Sequence, residues 1–524
     1  MAKPRVMFYH DGRHPHIYRY EPPMQKEEYV ACIDELAGTP VDAVAFCLGE
    51  GRTMLHDTKA GELLGHNVDK WDHLTFRRAH QNAKHLIDEG NDPLRIVCER
   101  AQKWGIMVYP SLMLQLGGAD WVPMRASNFR KENPQLEIGA AGDIDPNHPG
   151  FDGLDFKHKE SRNERFSIIE EAVTDYPVNG FELQFNHKPY FFHPNEIESG
   201  RNIMTNWIGN IHELVKRSGS DREFAVRIPY RVEDCEQIGL DILEWIKLGI
   251  VDVLIGEHSE GMSAPIDPTC DFSELVSAAK GSKSRVLASL QSRVGSDRLG
   301  DAPISMFRAA ACNYWNQGVD GLYLCQWFMY WPFQAPFYAA LREIAYPEIM
   351  ASKDKYYYIP TINDRPFRMK ENQQLPAPME LNVATTVNWP VSDNLTKWDD
   401  VGRVHEVLIR IGVEGITELD QISFKLNGSE LPLSKMRKIN QMYRMSGPRN
   451  RRGPNYWFIF KPDREHWPIP GENRLDVTLL ERDPGIESEV RLNDVEMEIK
   501  YLMGKSFHRD YVDPDLGPYG YGVS

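Results

Sequence analysis

The stretch NERFSIIEEAVTDYPVNGFELQF (163–185) contains one helical pattern followed by one short apolar run. The first part, NERFSIIEEAVTDY, has apolar residues at helical spacing and predicts an amphipathic helix. The last part, GFELQF (180–185), follows a proline and an Asn-Gly pair and predicts a buried strand. A helix that leads directly into a buried strand is typical of a parallel α/β sheet.

Seven further apolar runs resemble GFELQF, and amphipathic stretches lie between them. They are RVMFYH (5–10), VDAVAFCLG (41–49), GIMVYPSLML (105–114), FAVRIP (224–229), VDVLIGE (251–257), RVLASLQS (285–292) and DGLYLCQW (320–327). Eight strand–helix units over about 345 residues predict a (β/α)8 barrel with long loops. A doubly wound open sheet is the alternative, but no strand is followed by GxGxxG, so a dinucleotide site is not supported.

The composition changes near residue 350, which divides the chain into predicted regions. Residues 1–350 are predicted to form the barrel, and the proline-rich segment 351–375 lacks periodicity and is interpreted as a linker. Alternating segments separated by turn signals predict an antiparallel β-sandwich over 376–503. The tail, 504–524, contains no predicted element. We expect the sandwich to act as a scaffold that also contributes some contact in a homodimer.

Charge and cysteine usage exclude several kinds of partner and site. The chain has 76 acidic and 60 basic residues, which gives a formal net charge of −16. This excess of negative charge argues against nucleic acid or an anionic membrane as the main partner. The seven cysteines are widely spaced without a CxxC pair, so we expect buried free thiols rather than disulfides or a zinc site.

The N-terminal residues and the apolar runs predict where the protein works. No run of eighteen apolar residues occurs, and MAKPRVMFYH contains no signal-peptide core. The sequence therefore predicts a cytoplasmic protein, with a leader removed before this sequence begins as the alternative.

The active site of such a barrel lies at the carboxyl ends of its strands, and this rule selects the candidate residues. The first strand leads into HDGRHP, which supplies His10, Asp11, Arg13 and His14. Candidates from the other strand ends and loops are Glu50, Asn133, Glu182, Gln184, His187, Arg201, Arg227, Tyr230, Glu257, His258, Gln326 and Trp327. Hydrogen-bonding groups of both kinds beside aromatic walls suit a polyhydroxylated ligand better than a phosphate.

Several catalytic motifs are missing from the candidate strand ends. The sequence contains no HExxH, no EF-hand loop and no GxSxG, and no cysteine marks a reactive strand tip. We therefore expect neither a catalytic metal, nor a cofactor, nor a covalent acyl intermediate.

Three segments resemble a group of glycosidase-like barrel proteins, the family 10-like glycosylhydrolases. They are DGRHP after the first strand, LDFKHKESRNERFSIIEEAVTDYPVNGFELQF around the fourth, and NHKPYFFHPNEIESGRNIMTNW after it. FKLNGSELPL and GENRLDVTLLER are similar to the β-sandwich that those proteins carry, so the likeness covers nearly the whole chain. Within this group the chain resembles glycoside hydrolase family 156, whose members are inverting exo-sialidases with a histidine acid and an aspartate base.

The resemblance implies roles for two residues and leaves the acid open. Asp11 takes the position of the base, and Arg201 that of an arginine that holds the sugar carboxylate. Asn133, in SNFRKENPQL, stands where the family's acid histidine is expected, and an amide cannot act as a general acid. Either His158 or His187 supplies the acid, or the chemistry differs, or the acid has been replaced in this chain. Gln184 is a second departure, because the related ELDF pattern has an aspartate there.

Each candidate also has a purely structural interpretation. Asp11 could cap a turn, His187 could orient a loop, and Trp327 could pack rather than stack on a sugar. Glu182 could pair with Arg227 of the next strand instead of acting in catalysis. Because Asp11 and Glu182 belong to strands on opposite sides of the barrel, their separation favours inversion over retention.

The sequence predicts an exo-acting, inverting glycoside hydrolase for an acidic sugar such as sialic acid. Asp11 is then the base and a histidine or Glu182 the acid. Arg201 and Arg227 hold the acidic group, while Tyr230 and Trp327 form walls. A non-catalytic carbohydrate-binding barrel and a lyase or isomerase of acidic sugars are the alternatives.

Overall fold

The structure is a computed structural model, and it describes most of the chain. The described residues are 3–49, 53–115, 125–258, 264–294, 302–361, 373–440 and 455–504, with the short strands Val512–Asp513 and Gly517–Pro518. The candidate Glu50 lies outside them, as does most of the predicted tail.

Eight parallel strands form a closed barrel. They are β1 (Val6–His10), β2 (Ala43–Cys47), β3 (Met107–Met113), β4 (Gly180–Gln184), β5 (Glu223–Pro229), β6 (Val253–Glu257), β7 (Arg285–Leu290) and β8 (Gly321–Leu324). Each strand pairs with the next in the chain, and β8 pairs with β1 to close the barrel. Each overlaps one of the eight predicted runs, so the (β/α)8 prediction is confirmed.

Helices surround the barrel and connect its strands. The α-helices of this region are α1 (Lys26–Tyr29), α2 (Ala31–Asp34), α3 (Leu74–Asp88), α4 (Pro93–Trp104), α5 (Asn128–Glu132), α6 (Lys159–Thr174), α7 (Ile197–Ser218), α8 (Val232–Gln237), α9 (Ile242–Leu248), α10 (Ser273–Ala279), α11 (Ile304–Asn316), α12 (Ala335–Ile344) and α13 (Pro347–Met350). Pro15–Arg19 form a π-helical turn, and 3-10 turns span Pro134–Leu136, Pro194–Glu196 and Trp327–Tyr330.

Helix α4 shows how local sequence signals set the bounds of a helix. The Asp92 side chain accepts a hydrogen bond from the Leu94 amide, and Pro93 occupies the first helical position. Gly105, with φ 70°, ends the helix in the left-handed region that glycine adopts most easily. These signals place the helix directly before β3.

The second domain is an antiparallel sandwich, as predicted. Its strands are β9 (Lys355–Ile359), β10 (Ala377–Pro378), β11 (Ala384–Val391), β12 (Val404–Glu414), β13 (Gln421–Leu426), β14 (Ser429–Glu430), β15 (Met436–Asn440), β16 (Asn455–Phe460), β17 (Gly471–Glu481) and β18 (Arg491–Tyr501). One sheet has the order β9-β18-β12-β16-β15, with β10 on β18, and the other has the order β11-β17-β13-β14. Helix α14 (Leu395–Asp399) and 3-10 turns at Leu433–Lys435 and Arg464–His466 connect these strands. Apolar residues of both sheets form a separate core.

The segment 351–375, interpreted from sequence as a linker, includes a strand of the sandwich. Residues 355–359, KYYYI, form β9 and pair antiparallel with β18. Aromatic and β-branched residues favour strands. The residues that follow are rich in proline, so the average composition of 351–375 predicts a linker and does not reveal this short strand. The sandwich therefore takes in a strand from before its predicted start at residue 376.

A buried ion pair inside the sandwich also contacts the last helix of the barrel region. The Lys355 Nζ lies 2.9 Å from Asp393 Oδ1, and the two side chains are 1% and 0% exposed. The same ammonium donates a 2.8 Å hydrogen bond to the Met350 carbonyl oxygen, at the end of α13. The hydroxyls of Tyr357 and Tyr501 donate to Asp393. Buried charges are tolerated when they are paired and hydrogen-bonded in this way.

No helix in the described part of the chain has both the length and the apolar character needed to cross a membrane.

We expect Asp393→Ala to lower the free energy of unfolding by about 3–5 kcal/mol, because it leaves the Lys355 ammonium buried without its counter-ion. Urea unfolding, followed by circular dichroism, measures this loss. Lys397→Ala is the matched control: this lysine is exposed on α14, and its loss should change stability by less than about 0.5 kcal/mol. Equal midpoints for Asp393→Ala and the control would contradict the structural role of the pair.

Candidate functional site

The tip of β1 folds into a tight charged turn. Asp11 is only 2% exposed, and Arg13 donates to both of its carboxylate oxygens, from Nε at 3.0 Å and from Nη2 at 2.5 Å. The His14 Nδ1 lies 3.6 Å from Asp11 Oδ2. Burial would raise the pKa of Asp11, but the charge and hydrogen bonds of Arg13, with His14, outweigh burial and hold that pKa well below its usual range. Asp11 is therefore ionised at all ordinary pH values.

A glycine allows this turn to lie against the neighbouring strand. A Cβ atom at Gly12 would lie 2.5 Å from the Cys47 carbonyl oxygen, at the end of β2. Such a contact is too short for a real side chain, so a larger residue would push the turn away from β2. The position of Asp11 at the mouth depends on this close approach.

Two histidines of the turn are held by aromatic rings. His10 stacks on Phe46 at 5.4 Å with an interplanar angle of 17°, and its pKa is lowered to about 3 by burial and by His14. His14 meets the ring of Phe328 edge-on at 4.3 Å, and burial lowers its pKa as well. Both rings are therefore neutral near neutral pH.

A buried ionic group forms the floor of the mouth. Arg227, on β5, lies with Nε 2.9 Å from Glu182 Oε1 on β4 and with Nη1 3.5 Å from Glu257 Oε1 on β6. Tyr323 donates a 2.9 Å hydrogen bond to Glu182 from across the barrel. The guanidinium also faces the rings of Tyr9 and Tyr323, at 4.5 and 5.0 Å. The structural pairing of Glu182 with Arg227, one of the two sequence-based alternatives, is present.

The pKa values of this floor follow from burial and from the close charges. Burial raises the pKa of Glu182, although Arg227 and the hydrogen bonds from Ser111 and Tyr323 act in the opposite direction. Burial alone would lower the pKa of Arg227, but Tyr323, Glu182 and Glu257 reverse this and raise it well above its usual value. The guanidinium is permanently charged and stabilises both carboxylates.

Amide and hydroxyl groups complete the wall beside Glu257. Its Oε1 accepts from Gln291 Nε2 at 2.9 Å and from Ser289 at 3.3 Å, and its Oε2 accepts from Asn186 Nδ2 at 3.2 Å. Gln184, on β4, donates to the Ser111 hydroxyl at 2.6 Å. These contacts fix the amides on the barrel wall.

Several buried polar atoms at the mouth have no hydrogen-bond partner within the described residues, and three of them matter for a ligand. They are the acceptor Asn186 Oδ1 and the donors Arg227 Nη2 and Gln326 Nε2. Buried polar atoms almost always have a partner in native proteins, so a ligand or water is expected there. Gln326 also has φ 62°, a left-handed backbone conformation that is uncommon for a residue with a side chain and tends to occur at functional sites.

Three arginines and a histidine share the mouth with Asp11. The pKa of Arg125 is lowered to about 10 by burial and by the charge of Arg13. The pKa of His187 is lowered to about 4 by burial and by Arg125, Arg13 and Arg227, while Asp11 opposes this. These five residues therefore lie close enough to interact, and we call Asp11, Arg13, Arg125, His187 and Arg227 the mouth cluster. His187 is half-buried, and no described residue hydrogen-bonds to its ring.

Two further candidates lie at the edge of the mouth, after β5 and β6. The ring of Tyr230 lies 6.2 Å from that of His258 and 5.4 Å from that of Phe272. Both Tyr230 and His258 are buried, and burial raises the pKa of Tyr230 well above its usual value. They form a packed aromatic wall.

The structure places Trp327 in the core rather than on the mouth surface. Trp327 is 0% exposed, its Nε1 donates to the Leu290 carbonyl oxygen at 3.0 Å, and its ring lies 4.5 Å from that of Phe307. It follows the left-handed Gln326 and begins a 3-10 turn, which the sequence pattern did not reveal. Its indole face is therefore covered by protein.

Asn133 and Arg201 also make local contacts instead of contacts with the mouth cluster. Asn133 ends α5, where its Nδ2 donates to the Phe129 carbonyl oxygen at 2.9 Å and its Oδ1 accepts from Gln135 at 3.0 Å. Arg201, on α7, donates to the Glu236 carbonyl oxygen at 3.3 Å, at the end of the first helix after β5. Helix packing and capping account for both side chains.

The tyrosines under the mouth, Tyr9 and Tyr323, were missed by the sequence analysis. In the sequence both lie inside apolar runs, which do not distinguish them from core residues. Alternate residues of a strand face the same side, so Tyr9 shares the barrel interior with Asp11 and Tyr323 with Cys325. Asp11 therefore points to Tyr9, two residues before it in β1, whereas Cys325 is not a candidate and gives no such signal for Tyr323.

Among the described residues, no three or more histidine, cysteine, aspartate or glutamate side chains are grouped so that they could hold a metal ion.

The solved structures similar to this chain share little sequence identity with it, and they include enzymes that act on sugars. Alpha-L-fucosidase isoenzyme 2 from Paenibacillus thiaminolyticus is 12% identical over 66% of this chain and 49% of that one, with a TM-score of 0.42. Endo-1,4-beta-mannanase from Rhizomucor miehei is 12% identical over 67% and 97%, with a TM-score of 0.42. The PgaB (BpsB) glycoside hydrolase domain from Bordetella bronchiseptica is 13% identical over 65% and 98%, with a TM-score of 0.41.

This chain spans about half the length of the fucosidase that it matches. Neither a scan against protein-family models nor a search of curated proteins gave a match. At TM-scores below 0.5, the activities of these neighbours do not transfer to this chain, and the fold is established by the strand order of the barrel itself.

We expect Arg13→Gln to raise the pKa of Asp11, because burial of this carboxylate is then no longer offset by the guanidinium. In the wild type the depressed pKa stabilises the folded state above the unfolded value of about 3.9, and this contribution is lost as pH falls through the folded value. In the variant Asp11 is a buried charge at about pH 7 but is increasingly protonated towards about pH 4.

Arg13→Gln should therefore lose about 3 kcal/mol of unfolding free energy at pH 7 and clearly less at pH 4. Urea unfolding at both pH values measures the difference. Arg78→Gln, which removes a partly exposed partner of Glu21, is the control and should show a small loss at both. A loss of the same size at both pH values in Arg13→Gln would show that Asp11 is not held ionised by Arg13.

Proposed function

We propose that the protein is a glycoside hydrolase whose substrate carries an acidic sugar. One observation supports this most directly: the mouth cluster combines a permanently ionised carboxylate, a titratable histidine and three guanidinium groups at the carboxyl ends of the barrel strands. In barrels of this architecture, these ends are where active sites lie.

The arginines of the mouth cluster support an anionic group on the sugar. Arg13 and Arg125 lie close enough for the charge of one to lower the pKa of the other. A sugar carboxylate between them would relieve this repulsion, and guanidinium groups bind carboxylates through paired hydrogen bonds. Asn186, Arg227 and Gln326, with unpartnered polar atoms of both kinds within the described residues, would bind the sugar hydroxyls.

Asp11 fits the general base of an inverting hydrolase. Its carboxylate is ionised at every ordinary pH, so it is always ready to accept a proton from an attacking water. Asp11 lies after β1 and His187 after β4, on roughly opposite sides of the closed barrel. An inverting enzyme needs about 6.5–9.5 Å between its two groups to hold both water and sugar, and positions across the mouth from one another suit this requirement.

His187 fits the general acid because an anionic substrate would change its charge state. In the free protein burial, together with the charges of Arg125, Arg13 and Arg227, keeps the pKa of His187 at about 4. A bound carboxylate would neutralise part of that positive charge and raise the pKa of His187. The proton would then be present when substrate is bound, next to the departing oxygen. Glu182, held by Arg227 and Tyr323 and 0% exposed, serves instead as part of the floor.

In its most specific form, the proposal is an exo-acting hydrolase that removes an acidic sugar, such as sialic acid, from the end of a glycan. A non-catalytic carbohydrate-binding barrel is the second candidate. The bidentate clamp of Arg13 on Asp11 favours it, because an aspartate with so low a pKa is a weak base.

We expect the protein to hydrolyse an aryl α-sialoside or an aryl β-glucuronide, but not the neutral aryl β-glucoside. Proton NMR of each reaction measures the release, and inversion predicts the β-anomer of sialic acid first from the α-sialoside. Asp11→Asn should reduce kcat by about 100- to 10,000-fold. Asp221→Asn, an exposed aspartate next to the opposite end of β5, is the matched control and should retain full activity.

Each other outcome of this panel points to a different function. Hydrolysis of only the neutral glucoside would contradict the acidic substrate. Binding of a sugar without turnover of any glycoside would favour the carbohydrate-binding alternative. An unsaturated or isomerised product would mark a lyase or isomerase.

We expect His187→Ala to reduce kcat more for substrates whose leaving group needs a proton from a general acid. A substrate with an activated nitrophenyl leaving group should lose less than about tenfold in kcat, whereas an alkyl glycoside should lose about 100-fold or more. Steady-state kinetics on both substrates measures the contrast. His158→Ala is the parallel variant, since His158 was the other sequence-based candidate. The same contrast in His158→Ala, and not in His187→Ala, would move the acid to His158.

A further inference from the structure

A small cavity adjoins the tip of β1. Its lining includes His10, His14, Arg19, Glu35, Phe328 and Trp331. The space open to the centre of a water molecule is about 20 Å³. A polar cavity needs only about 10–15 Å³ by this measure to hold one water, so the cavity admits water but no sugar.

His14 belongs both to this cavity and to the charged turn at the mouth. Its ring lines the cavity beside Phe328, and its Nδ1 lies 3.6 Å from Asp11 Oδ2. The distance is slightly long for a direct hydrogen bond, and contacts of catalytic groups often tighten only when substrate is bound. One side chain therefore connects the carboxylate with the cavity.

The outer wall of the cavity reaches the protein surface. Arg19 and Glu35 form an ion pair at 2.6 Å, and their side chains are 29% and 20% exposed. Trp331 donates to the same Glu35 carboxylate from its Nε1 at 3.1 Å. Water in the cavity can thus exchange protons with solvent on a side that the mouth cluster does not occupy.

Hydrolysis at Asp11 creates a proton that has to leave a buried group. Asp11 is 2% exposed, and the sugar product fills the mouth after the bond is broken. Arg13, which contacts both carboxylate oxygens, already carries its full set of protons and cannot accept another. His14 contacts the same carboxylate and has a neutral imidazole that can accept.

Resting on the proposed hydrolysis with Asp11 as base, we infer that His14 relays the proton from Asp11 into the cavity. As the water oxygen bonds to the anomeric carbon, one water proton moves to Asp11 Oδ2 and the leaving oxygen takes a proton from the general acid. Asp11 passes its proton to Nδ1 of His14, which becomes an imidazolium. The imidazolium releases its Nε2 proton to water in the cavity, which leaves Asp11 a carboxylate and His14 a neutral imidazole with its proton on Nδ1. Exchange of that proton with water, with uptake of another at Nε2, restores the tautomer that can accept from Asp11.

The charges around His14 favour this direction of transfer. The groups that influence its titration are Asp11 and Arg13, and its own charge in turn acts on His10. Burial lowers the pKa of His14, but that of Asp11 is held well below its usual range. A proton on Asp11 is therefore transferred readily to the imidazole.

The test compares His14→Ala with the wild type on the aryl glycoside that the wild type hydrolyses. We expect kcat to fall about 10- to 100-fold with an unchanged KM, because the proton leaves slowly while the sugar contacts remain. Free imidazole, which fits the space left by the ring, should restore kcat in a concentration-dependent manner. His212→Ala, a partly buried histidine on α7 beside Asp252, is the matched control and should show neither effect.

Ala31→Val provides a second variant that leaves the charged turn intact. Ala31 lines the cavity at the start of α2, and two added methyl groups would displace its water. We expect a lower kcat with an unchanged unfolding midpoint. This variant decides the test if His14→Ala does not fold.

Each result separates the relay from the proposed function. A wild type inert on every glycoside overturns the proposed hydrolase and the relay with it. An active wild type with an equally active His14→Ala, or with a folded His14→Ala that imidazole does not rescue, overturns the relay alone. An unchanged kcat in Ala31→Val also overturns it.

Discussion

The structure of the mouth depends on one buried guanidinium. Arg227 lies between Glu182 and Glu257, under the rings of Tyr9 and Tyr323, with 1% of its side chain exposed. An isolated charge at this depth would cost far more than a folded protein can tolerate, and so would either carboxylate without it. The ion pairs therefore hold β4, β5 and β6 together, and the ring contacts of Tyr9 and Tyr323 with the guanidinium bring in β1 and β8. Every group that we assign to the site stands on one of these strands or on a loop that follows one of the eight barrel strands.

The sequence predicts the barrel because its strands are buried on both faces, and such strands appear in the sequence as continuous apolar runs. Each strand is a short apolar run, and polar residues occur where the run ends at the mouth. The pairing of Glu182 with Arg227 was also accessible, since the two residues lie on neighbouring parallel strands, with Gln184 in register with Arg227. Burial along one strand and ion pairs between adjacent strands can thus be predicted from the sequence.

The remaining details depend on backbone geometry that no periodicity encodes. The left-handed conformation of Gln326 decides that Trp327 turns into the core. The side-chain amide of Asn133 forms hydrogen bonds with Phe129 and Gln135 at a helix end. These bonds hold it away from a role at the mouth. Strand β9 is a short aromatic run directly before a proline-rich segment, and composition over the whole segment predicts a linker there. In each case a local conformation or an unrecognised element decided the position of the side chain.

The Lys355–Asp393 pair has a consequence for how this protein can change over evolutionary time. The lysine follows the last barrel helix, and its counter-ion lies in the sandwich, where two tyrosine hydroxyls also depend on it. A gene fusion that kept the chain through β9 and replaced the rest of the sandwich would leave the Lys355 ammonium buried without its counter-ion. The chain up to β9 and the rest of the sandwich are therefore expected to be inherited together, and substitutions at either member of the pair should be tolerated only as matched changes.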